Sequence, residues 1–125
     1  MIVLDTNSLI RFFTNDVLDQ AAKVKTLLEN EKKIFIPDVV FPELEYVLEG
    51  QYNFEKEKVL EYFHFLLALQ NIGVSKPLRK AVDLFAVSGL DMADCLIVSY
   101  SQKSKLASFD KQLLKLSGVK SYWPV

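Results

Sequence analysis

Residues 1 to 4 are all apolar, and the next four, Asp5, Thr6, Asn7 and Ser8, are all polar before a helical pattern begins. A short unbroken apolar run suits a central parallel strand covered on both faces. Leu9, Ile10, Phe12 and Phe13 then mark a short helix that stops near residues 14 to 16. Residues 17 to 31 predict a second helix, with Leu18, Ala21, Ala22, Val24, Leu27 and Leu28 on the 3.6-residue period. Ile34, Phe35 and Ile36 form a second strand ended by Pro37. Asp38 is the candidate N-cap of a helix over residues 39 to 48 that stops at Gly50, and Pro42 predicts an irregular first turn. A long buried helix follows over 54 to 70, then a weak third strand at 71 to 75 and another helix from 76 to about 88. After Ser88 and Gly89, residues 91 to 100 predict the most apolar helix of the chain. A strand at 105 to 108, a short helix at 111 to 116 and a last strand near 119 to 123 complete the pattern.

Composition narrows the function classes. A chain of 125 residues, half of them apolar and a quarter charged, is one domain with one core. No apolar run is long enough to span a membrane and no leader pattern opens the chain, so a soluble cytoplasmic protein is expected. The single cysteine, Cys95, excludes an internal disulfide and a Cys-based zinc site. The single histidine, His64, lies beside an apolar stripe with no second ligand near, and a packing or surface role is expected for it. Any enzyme chemistry therefore falls to carboxylates. A formal charge of −1 gives no global basic field for nucleic acid. Lys76, Arg79 and Lys80, at the start of their helix, are the best candidates for phosphate contacts, although such a cluster is usually just a solvated helix face.

Asp5 stands where a buried strand ends, which is where ligands gather in open α/β sheets. The plain alternative is turn chemistry, with Ser8 or Asn7 capping the next helix. Glu43, unlike Glu45 and Glu49, is expected to tilt toward the interior, since the apolar face of its helix is defined by Val40, Leu44, Val47 and Leu48. Asp91 and Asp94 lie on one face of a first helical turn, Asp91 as N-cap and Asp94 directly before Leu96, Ile97 and Val98. A carboxylate on a buried helix is expensive unless paired or bound to metal. From Asp94 the helix descends about nine residues at 1.5 Å each, and residues 105 to 108 climb back at about 3.3 Å each. Asp110 therefore emerges on the edge where Asp94 began.

Asp5, Glu43, Asp94 and Asp110 are thus expected at one edge, with Asp91 near. Carboxylates so close repel one another unless a counter-ion is present. A hard divalent cation with oxygen ligands, Mg²⁺ or Mn²⁺, suits an open acidic cleft and turns it into a receptor for phosphodiesters.

The order of these signals resembles the PIN-domain nucleases: Asp-Thr-Asn after an opening strand, a Glu after the second strand, an Asp before a Leu-Ile-Val helix, and a Ser-x-Asp after the following strand. The small size is similar to the toxin subunits of VapBC toxin–antitoxin pairs. The resemblance covers the whole chain and implies a three-layer α/β/α domain over residues 1 to 125 with a central parallel sheet of about 4–5 strands. It further implies a Mg²⁺- or Mn²⁺-dependent endoribonuclease, a homodimer, and inhibition by a small antitoxin. By the same resemblance Asp5, Glu43, Asp94 and Asp110 are the acidic site and Asp5, Asp94 and Asp110 its metal ligands, with Asp91 beside them. Asn7 orients Asp5, and Ser108 hydrogen-bonds within the site.

Three other readings compete with this one. A haloacid-dehalogenase-type phosphatase needs a second Asp where Asn7 stands. A receiver-type phospho-acceptor needs its acids in another order and a well-placed late Lys. A PIN-like domain that only binds RNA or a protein partner is the non-enzymatic alternative. Phe12, Phe13, Tyr46 and Tyr52 fit either a partner groove or the core, and at least half of them are expected in the core.

Overall fold

The computed structural model describes residues 1–124. The chain forms two compact units, Met1–Ser75 and the residues from Lys76 onward. In the first, β1 (Ile2–Val3), α1 (Thr6–Thr14), α2 (Leu18–Asn30), β2 (Ile34–Phe35), α3 (Val40–Gly50), α4 (Lys56–Ala68) and β3 (Ile72–Gly73) follow in order. The three strands form one parallel sheet in the order β1-β2-β3. Ile2 is in register with Ile34, and Ile34 with Ile72. Parallel neighbours need long crossovers, and helix pairs provide them: α1 and α2 between β1 and β2, α3 and α4 between β2 and β3. Leu4, Leu9, Ile34, Ile36, Phe41, Leu44, Leu48, Phe63 and Leu66 fill this unit's core. Phe41 meets Phe63 edge to face at 5.1 Å.

Phe12, Phe13 and Tyr52 are not in that core. They are half-buried in an aromatic cluster with Phe54, Tyr62 and Phe65, in which Phe13 stacks on Tyr62 at 4.1 Å. Tyr46 is 77% exposed and His64 lies on the surface.

The second unit contains α5 (Lys76–Val87), α6 (Met92–Tyr100), β4 (Lys105–Leu106), α7 (Lys111–Leu114) and β5 (Lys120–Ser121). Here β4 and β5 pair in parallel, Leu106 opposite Ser121. The tight turn after α5 folds α6 back against it, and Leu78, Val82, Phe85, Met92, Cys95 and Val98 are buried. Leu106 and Leu113 join Val98 in a cluster under β4 and α7. The α/β class with parallel strands is therefore present, its strands in a three-stranded and a two-stranded sheet among the described residues. The expected all-round burial of α6 is not found: Ile97 and Tyr100 are exposed, because the helix turns Met92, Cys95, Leu96, Val98 and Ser99 inward. No helix of the described residues is long and apolar enough to cross a membrane.

Candidate functional site

In the first unit, α1 begins immediately after the opening strand. The cap is Asp5 itself, not Ser8 or Asn7: its Oδ1 accepts the Ser8 backbone N–H at 3.0 Å. Extended backbone at Asp5 and a short carboxylate suit that position. The Ser8 N–H, with the Ser8 hydroxyl behind it, holds the Asp5 carboxyl below the usual aspartate range. Thr6, the next residue, donates its hydroxyl to Oε1 of Glu43 and so ties α1 to α3. Nothing in the hydrophobic pattern marks Thr6; only its place inside Asp-Thr-Asn does.

Glu43 is exposed rather than tilted inward. Phe41 is fully buried and rotates the apolar face of α3 away from Glu43. The inward acid of this helix is Glu49, whose Oε2 is buried without a hydrogen-bond partner among the described residues. Glu43 nonetheless faces Asp5 across an open cleft of about 620 Å³ that Asn7, Pro42 and Tyr46 also line. The first turn of α3 is irregular, as Pro42 predicts: Val40 and Phe41 donate to the carbonyls three residues back, of Pro37 and Asp38. Val39, not Asp38, occupies the cap position, and the Asp38 carboxylate instead accepts the Ser75 hydroxyl at 2.7 Å.

In the second unit Asp91 caps α6, its Oδ1 accepting the N–H of Asp94 at 2.9 Å. Asp94 sits half-buried in the first turn. Burial first, and then the negative charges of Asp91 and Asp110, push its carboxyl above the usual aspartate range. Asp110 thus does return to the neighbourhood of Asp94, as the helix and strand rises require. It caps α7 through Oδ1, which accepts the Gln112 N–H at 2.9 Å. Ser108 accepts the Asp110 N–H on its hydroxyl at 2.9 Å, fixing the turn that aims Asp110.

Capping and chemistry are not exclusive at these positions. Asp5, Asp91 and Asp110 each spend Oδ1 on a helix N-terminus, which holds the carboxylate in one orientation and leaves Oδ2 to other work. The donors are all oxygen, the kind a hard divalent cation prefers, and a cation would offset both the burial and the like charges that raise Asp94. Among the described residues no three His, Cys, Asp or Glu side chains are grouped closely enough to hold a metal already. The residues fit Mg²⁺ or Mn²⁺ in kind.

Lys76 and Lys80 are brought together, but with Lys103, Tyr100 and Gln102, around a cavity of about 210 Å³. Arg79 is exposed and does not line it. Because α6 folds back along α5, the start of α5 meets the end of α6. That is six residues, about 9 Å, along α6 from Asp94. The basic cluster is therefore not beside Asp94 and Asp110.

The model of the PIN domain family matches residues 2–119. The chain is also similar to a VapC ribonuclease of Aquifex aeolicus (strain VF5), 29% identical over 128 residues that cover 93% of this chain and 92% of that protein.

Proposed function

The chain belongs to the PIN-domain family, and from that premise we propose that it is a Mg²⁺- or Mn²⁺-dependent endoribonuclease, the toxin of a toxin–antitoxin pair. The match runs through both units, which supports reading residues 1 to 125 as one functional PIN domain. The similarity to a VapC ribonuclease supports RNA as substrate and a small antitoxin as partner. A second copy of the chain and action in the cytoplasm complete the reading.

The observation that carries it is the crowding at the start of α6. Asp94 is half-buried, and burial first, then the charges of Asp91 and Asp110, push its carboxyl above the usual aspartate range, which supports a role beyond capping. The chemistry is assigned to Asp5, Glu43, Asp94 and Asp110, with Asp5, Asp94 and Asp110 as the metal's ligands and Asn7, Asp91 and Ser108 in support. When bound, the metal supplies Lewis acidity toward phosphate oxygens and a water made acidic enough to attack at neutral pH. The residues themselves orient and hold charge. Asp5 stays ionised against the Ser8 N–H, Thr6 holds Glu43, and Ser108 fixes the approach of Asp110.

If water is the nucleophile, the RNA 2′-hydroxyl is a bystander. Cleaved RNA should then carry 5′-phosphate and 3′-hydroxyl ends, and cleavage should require added Mg²⁺ or Mn²⁺. End-group analysis of a defined oligoribonucleotide checks this. Products with 2′,3′-cyclic phosphate, or cutting undiminished by EDTA, would sink the reading.

A further inference from the structure

Phe109, between Ser108 and Asp110, is 84% exposed. Its ring lies flat on that of Trp123, centroids 4.6 Å apart and planes 10° from parallel. Trp123 is itself 41% exposed, and Tyr122 meets it edge-on at 5.4 Å. Single exposed apolar residues are ordinary on protein surfaces, but a stacked pair with an open outer face is a shaped feature.

Topology explains where the pair stands. Because β4 and β5 run parallel, their carboxyl ends leave at one edge, and Phe109 and Trp123 follow those ends by three and two residues. That is the edge of a parallel sheet at which ligands gather. Asp110, assigned above to phosphate chemistry, starts α7 there and is the neighbour of Phe109.

We propose that Phe109, backed by Trp123, is a stacking platform for a base of single-stranded RNA next to the phosphate at Asp110. The inference rests on the endoribonuclease reading and names how that site holds its substrate. A nucleobase presents a flat π face of the same size as the exposed ring, and stacking on aromatic side chains is how unpaired bases are held without sequence preference. A protein helix needs a longer apolar groove. Here the exposed apolar surface is the three rings of Phe109, Trp123 and Tyr122, and the sequence on either side of Phe109, Ser108 and then Asp110, Lys111 and Gln112, is polar. Lys111, exposed on the far side of Asp110, carries a cation suited to a flanking phosphate.

Trp123 is the sole tryptophan of the chain, so its emission reads the platform directly. The test is a fluorescence titration of the full chain with a twelve-residue oligouridylate in Ca²⁺, the RNA checked intact by gel, beside a Mg²⁺ cleavage assay. Saturable quenching is expected in the wild type, with affinity about tenfold weaker in Phe109→Ala and restored in Phe109→Tyr. Since Phe109 is exposed, the alanine variant should fold, and its circular dichroism verifies that. Cleavage of RNA with unchanged emission and unchanged affinity in Phe109→Ala overturns the platform while leaving the nuclease reading intact. Quenching that Phe109→Ala weakens, without cleavage, keeps the platform and removes the nuclease. Emission that follows protein concentration but ignores RNA marks a protein–protein face and overturns the proposal.

Discussion

Asp5 and Asp94 both stand in the first turn or cap of a helix, one in each unit, yet their carboxyls are pushed in opposite directions. Asp5 is the cap: it takes a backbone N–H at the positive end of α1 and is lowered. Asp94 is three residues further on, and the cap of its helix is Asp91. Its own N–H is given to Asp91, and its carboxylate is left with burial and two like charges. A helix N-terminus can satisfy one acid well. Asp91 and Asp110 each cap a helix of their own, and Asp94, which caps none, is the acid left without such a donor.

The largest effect that can test this contrast is on cleavage. Asp94→Asn should lower RNA cutting by about a hundredfold or more, and the same substitution should stabilise the protein without metal. A raised carboxyl pKa means that the native state disfavours the charged form. Its contribution to stability is full at acid pH and is lost as pH rises through the folded pKa. Removing the charge at pH 7 should therefore raise Tm by roughly 1–3 °C, a figure discounted for the solvent reaching a half-buried group. The gain should shrink as pH falls toward the folded pKa. Asp5 runs the other way: its stabilisation is present above the ordinary aspartate value and lost as pH falls through the lowered one. Asp5→Ala, which removes the cap, should cost about 1 kcal/mol and lower Tm. Thermal melts at several pH values measure both, and a fall in Tm for Asp94→Asn at pH 7 would break the contrast.

A smaller effect sharpens the first unit's half of the comparison. Thr6→Val keeps the shape of the side chain and removes the donor to Glu43. Cleavage should drop about tenfold, as for other groups that hold a working residue in place. Tm should hardly move, since the contact is exposed. A loss of stability as large as that of Asp5→Ala would mean that Thr6 is a structural residue instead.

Much of this was legible in the sequence because it depends on lengths and periods. The rise of a nine-residue helix and the returning strand brings Asp110 back to Asp94, and a run of four apolar residues locates Asp5 at a strand exit. What was not legible depends on which neighbour a side chain meets. The period set by Val40, Leu44, Val47 and Leu48 leaves out Phe41, and one buried ring is enough to turn Glu43 outward. Asp38 has the residue type of a cap, but its carboxylate accepts the hydroxyl of Ser75, which follows the neighbouring strand β3. Lys76 and Lys80 were read on one helix, while the antiparallel return of α6 decides which end they share. Phe109 carried no signal, because an exposed phenylalanine and a core one are the same letter in a hydrophobic pattern.

If the chain is the metal-dependent nuclease proposed above, the acids around Asp94 bind a divalent cation. Calorimetric titration of Mn²⁺ into the wild type and into Asp94→Asn, without nucleic acid, tests it most directly. Saturable binding in the wild type that disappears in the variant is expected. Equal binding by both proteins, or none by the wild type at millimolar Mn²⁺, would contradict it.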